Sequence, residues 1–121
     1  MNETELQKLI QLEASKRGIR LWRNNMGATY DQTGRFIRYG LANESAAVNK
    51  VLKSGDLIGI TPKIISPDDI GHTVGVFTSI EVKRPGWQYR GHGREPAQQA
   101  WANLVLSLGG IAKIIASVEE L

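Results

Sequence analysis

A chain of 121 residues with 15 Lys or Arg, 12 Asp or Glu and a formal net charge of +3 has room for a single core, so one domain over residues 1–121 is expected, without a separate substrate domain. The lack of cysteine excludes a disulfide framework and every thiolate metal site; any metal must be held by oxygen or imidazole, which favours a hard cation. No stretch approaches the roughly 20 apolar residues of a membrane span, and the opening MNETELQKLIQLE is acidic and amphipathic rather than a signal sequence, so no membrane partner and a cytoplasmic location are expected.

In chain order, Leu6, Leu9 and Ile10 recur near 3.6 spacing and predict an amphipathic helix from Glu3 to about Lys16, ended by Gly18. A strand over GIRLWR should follow. Asp-Gln-Thr-Gly then signals a turn, and the alternating GRFIRYG is a hairpin arm. One helical turn is expected around Ala46 to Leu52, followed by a short apolar strand in DLIGI. Turns in SPDD and GHTVG lead to a longer strand, VFTSIEVK, stopped by Pro85 and Gly86. Ala97, Trp101, Leu104, Val105 and Leu108 share one face of a helix with proline in its first turn and Gly109 and Gly110 at its end. IAKIIAS closes as a buried-type strand. The order helix, strand, strand, strand, helix, strand (αβββαβ) predicts an α/β fold, a mixed β-sheet flanked by helices.

Residues 16–53 hold eight Lys or Arg against Asp31 and Glu44, a local balance of +6 that suits a polyanion such as nucleic acid or, equally, a solvated basic face. More specific is the SIEVK strand. Alternation puts Glu81 and Lys83 on one side while Ile80 and Val82 point to the core. Were DLIGI to pair beside it, Asp56 would approach Glu81, and two close carboxylates need a cation or a proton between them. Mg²⁺ is a natural occupant, since it accepts one or two carboxylates plus waters and phosphate oxygens. The Val82 carbonyl is a further candidate ligand. Lys83 would hold a water or stabilise transition-state charge, which is phosphodiester hydrolysis. A lone Glu-x-Lys on a strand is otherwise a cross-strand ion pair.

The runs GDLIG, SIEVKRPG, REPAQQAW and GGIAKIIASVEEL, preceded by WRNNMGA and GRFIRYGL, resemble the VRR-NUC domain, a branch of the PD-(D/E)xK nuclease superfamily with the restriction-endonuclease-like fold. The resemblance covers nearly the whole chain. It implies Asp56, Glu81 and the Val82 carbonyl as ligands of Mg²⁺ or Mn²⁺, Lys83 as the catalytic lysine and Gln98 as the helix glutamine bordering the site. It also implies an acid from the first helix, with Glu3, Glu5 and Glu13 as candidates and Glu3 matching the pattern best. Gly55 stands where the superfamily name has proline. The implied activity is endonucleolytic cleavage of branched DNA such as four-way junctions by a homodimer, in a bacterial cytoplasm and in compact bacterial or phage proteins. A DNA-binding accessory module with a dead nuclease fold is the alternative from another class.

Arg23, Asn24, Asn25, Arg35, Arg38 and Arg84 are candidates for DNA contact through charge-assisted hydrogen bonds, against the alternative of a polar rim. Trp87 and Tyr89, interleaved with Arg84, Arg90 and Arg94, would form a mobile stacking surface for unpaired bases or an oligomer contact. Trp22 and Trp101 are expected in the core. His72 and His92 lack partners at ligand spacing, and without a Gly-Lys-Ser/Thr phosphate loop no nucleotide cofactor is expected.

Overall fold

A computed structural model of the chain describes residues 1–121 and gives a mixed α/β protein. Its contacts divide into two compact units, Met1–Gly59 and Ile60–Leu121.

The first unit opens with helix α1, Glu3–Lys16. Asn2 caps it: its side chain accepts from the Glu5 amide and the Glu5 carboxylate accepts from the Asn2 amide, both at 2.9 Å. Gly18, at φ +77°, turns the chain back, and Gln11 Nε2 donates to the Leu21 carbonyl at 3.2 Å. Helix α1 thus lies along strand β1, Arg20–Arg23, burying Ala14 at the contact. Strands β2, Gly27–Tyr30, and β3, Phe36–Tyr39, form an antiparallel hairpin with Gly27 opposite Tyr39 and Tyr30 opposite Phe36. The expected Asp-Gln-Thr-Gly turn closes it: Asp31 Oδ1 accepts from the Thr33 hydroxyl at 2.7 Å and from the Thr33 and Arg35 amides at 2.9 Å. Asn43, only 3 % exposed, locks the other end by donating to the carbonyls of Gly27 (2.7 Å) and Tyr39 (2.9 Å).

Helix α2, Ala46–Val51, is the single expected turn, capped by the Ser45 hydroxyl. It leads to strand β4, Leu57–Ile60, which pairs with β1. The Asn24 amide meets the Asp56 carbonyl at one end, and Gly59 lies on Arg20 at the other, so the two strands run in opposite directions. A Cβ at Gly59 would stand 1.7 Å from the Arg20 carbonyl oxygen, a close approach that only glycine permits.

The second unit is built on a parallel pair, β5 (Thr78–Val82) and β6 (Ile111–Ile115), with Glu81 opposite Ile114 and Val82 opposite Ile115. Helix α3, Glu95–Ser107, makes the crossover and packs on both strands. Val105, fully buried, and Ala102 form the seam, and Gly110 admits the close turn from α3 into β6.

The observed order is αβββαββαβ. Strand β2 and the pairing of β4 with β1 replace the expected single mixed sheet by three two-stranded ladders. Val82 does not point into a core: α3 covers the face carrying Ser79, Glu81 and Lys83, and Val82, on the opposite face, is 72 % exposed. Trp101 is likewise at an edge, 37 % exposed, because its indole N–H reaches out to the Ser79 hydroxyl at 2.8 Å. No helix is long and apolar enough to cross a membrane.

Candidate active site

Alternation along β5 and the 3.6-residue phase of α3 bring Ser79, Glu81 and Lys83 under Trp101 and Gln98. Gln98 bridges the two charges. Its carboxamide oxygen accepts from Lys83 Nζ at 2.7 Å, and its amide nitrogen donates to Glu81 Oε1 at 2.9 Å. The direct Lys83–Glu81 approach is left at 3.8 Å. The Lys83 side chain is 18 % exposed, whereas Glu81, 44 % exposed, opens onto a groove of about 490 Å³ lined also by Ser79, Arg94, Gln98 and Trp101. Glu81 and Lys83 thus form an ion pair along one strand, and the neutral Gln98 carboxamide bonds to both.

Glu81 offers a hard carboxylate to a cation, with water and substrate space beside it. No three Asp, Glu or His side chains gather into one cluster. Mg²⁺ asks for no such cage, so the donor chemistry at Glu81 fits it. Asp56 and Glu3 belong to the first unit. Asp56 immediately precedes β4, with an exposed carboxylate that enters no hydrogen bond or ion pair; its backbone is fixed by Asn24, whose Nδ2 donates to Ser54 Oγ at 2.7 Å and to the Gly55 carbonyl at 2.9 Å. Glu3 is exposed in the first turn of α1. Of the other first-helix acids, Glu5 is spent on the cap, and Glu13 pairs with Arg17 at 3.6 Å.

Among the residues suggested for DNA contact, Arg23 and Asn25 are exposed. Asn24 is half-buried, with its amide committed to the chain before Asp56. Arg35 pairs with Asp31 at 3.5 Å yet keeps a largely exposed side chain, and Arg38 donates to Asn43 at 3.2 Å while lying over the Phe36 ring.

Arg84 opens the loop between β5 and α3. Glu95, which sequence reasoning passed over, organises that loop: its carboxylate accepts from Trp87 Nε1 at 2.9 Å and from the Arg90 and Gly91 amides at 2.9 and 3.0 Å. The Arg90 amide above all holds the Glu95 carboxyl below its ordinary range. The expected mobile surface is therefore a tethered one. An acid beside proline in the first helical turn was the available signal. Asn24 and Asn43 had none, since their bonds reach up to 31 residues along the chain. No family model, curated protein or solved structure matches this chain.

Proposed function

We propose that the chain is a metal-dependent endodeoxyribonuclease with a restriction-endonuclease-like site of the VRR-NUC kind, acting on branched DNA as a homodimer. The observation that carries this is the Glu81–Gln98–Lys83 bridge, which keeps an ammonium and a carboxylate adjacent but separate beside an open groove. Glu81 and the Val82 carbonyl are the proposed ligands of Mg²⁺ or Mn²⁺. When bound, such a cation polarises the scissile phosphate and acidifies a water.

The chain's own residues do the rest. Lys83 brings a fixed positive charge to the phosphate oxygens as negative charge grows on them, and its low exposure strengthens that interaction. Gln98 aims Lys83 and prevents its collapse onto Glu81. Arg23, Asn25, Arg35 and Arg84 supply phosphate contacts, and a symmetric dimer supplies two sites for two strands.

The test is cleavage of labelled four-way-junction, flap, single-stranded and linear duplex DNA in Mg²⁺, Mn²⁺ or EDTA, by wild type and Glu81→Ala. Metal-dependent cutting of the branched substrates, lost in Glu81→Ala, is the expected result. Equal cutting of all four discards the branch preference. Binding of all four without cutting supports the accessory DNA-binding module instead.

A further inference from the structure

A second recess lies beside Lys83, on the loop between β5 and α3. It encloses about 200 Å³ and is lined by Arg84, Trp87, Gln88, Arg90, His92 and Glu95. We propose that this pocket takes the base of an unpaired nucleotide; as a part of a DNA strand, that nucleotide depends on the nuclease function proposed above.

The chemistry of the walls is that of a base receptor. Trp87 presents an indole fixed at one edge by its 2.9 Å bond to Glu95 and on another side by Tyr89, edge-to-face at 6.4 Å. A ring already held in place loses little freedom when a base stacks on it. Gln88 and His92 bring donors and acceptors for a base edge, and Arg84 and Arg90 bring guanidinium planes for stacking or for the neighbouring phosphate. The Glu95 carboxylate is occupied by three N–H donors and is thereby muted as a source of repulsion.

The recess is also the right size and in the right place. Its volume suits one ring system and excludes a stacked base pair, so a base must leave the duplex to enter, which costs least where it is already unpaired. Lys83 Nζ lies 5.4 Å from the centre of the Trp87 ring, and the same ammonium is bonded to Gln98. Because the ammonium lies over one face of the ring, a base would stack on the other, within one nucleotide's span of Lys83. Selection of unpaired DNA would then reside next to the reacting phosphate.

The experiment is equilibrium binding of the full chain in EDTA to a labelled duplex with one extrahelical adenine, to the same duplex with an abasic site at that position, and to free dAMP followed by tryptophan fluorescence. The change is made in the DNA, so the test needs no variant to fold. Loss of the base should weaken wild-type binding by roughly five- to a hundredfold. Trp87→Ala should bind both duplexes at the weaker level, and Trp87→Phe should restore part of the difference.

If dAMP binds, Trp87→Ala abolishes that binding and no duplex is bound, the pocket stands with a free nucleotide as its ligand, and the nuclease proposal falls. If the duplexes are bound alike with and without the base and dAMP leaves the fluorescence unchanged, the pocket is overturned while the nuclease proposal survives. If neither duplex nor dAMP binds, both are overturned.

Discussion

Gln98 gives Lys83 and Glu81 a common partner, and the three side chains make separable contributions. Lys83→Ala removes a charge, not a core contact, so it should fold and bind DNA while cleavage falls by roughly a hundred- to a thousandfold; circular dichroism, DNA binding and single-turnover cleavage of the same preparation check this. Loss of folding would make Lys83 structural. Gln98→Ala should let the ammonium close its 3.8 Å gap to Glu81, lowering kcat by about 10–100-fold, as for other groups that orient a catalytic neighbour, with KM little changed. A rise in KM alone would make Gln98 a binding residue. The Glu81–Lys83 pairing was legible from period-2 alternation and Gln98 from helix phase and family likeness, because each follows from local geometry. The bridge between them was not legible, since it depends on how α3 is set down across β5.

At the scale of elements, the loop from Arg84 to Arg94 is held at the start of α3 by one carboxylate. The Glu95 pKa lies below its ordinary 4.5, chiefly through the Arg90 amide. A depressed folded value means that Glu95 contributes stability above the unfolded value, and that this contribution is lost as pH falls through the folded one. Wild type should therefore melt above Glu95→Ala at neutral pH, and the gap should close on acidification below the ordinary carboxylate value; thermal melts across pH check this. A gap independent of pH would assign the effect to packing of Trp87.

Gly59→Ala should break the β1–β4 ladder, since its methyl would stand 1.7 Å from the Arg20 carbonyl carbon's oxygen; a loss of about 1–3 kcal/mol in denaturant unfolding is expected, as for other overpacked contacts. The helices were legible almost to the residue because apolar phase and glycine stops are local: α1 runs from Glu3 to Lys16 before Gly18, and α3 carries its proline in the first turn. Strand β2 was hidden in the small residues Gly27 and Ala28, which lack a strand's apolar alternation and join a ladder only because β3 and Asn43 hold them there. Ladder partners likewise had no local signal: Asn24 meets Asp56 across 32 positions of chain.

For the whole molecule, charge is divided more sharply than the total of +3 suggests. Residues 1–59 carry nine Lys or Arg against six acids, while residues 60–121 carry six of each. The entire excess thus belongs to the first unit, and within the second unit Lys63 is already paired with Asp69. If DNA phosphates run over the first unit, each neutralised phosphate releases counterions, and the logarithm of affinity should fall with the logarithm of salt by about 0.9 per duplex phosphate contacted. Arg23→Ala should then weaken binding to every DNA substrate alike and lower that slope by about 1, whereas Lys63→Ala should leave it unchanged. Anisotropy titrations at several salt concentrations, without divalent metal, measure both. A slope that moves equally in the two variants would mean that the DNA draws on the balanced second unit as much as on the basic first one, and that the excess charge is a solvated surface.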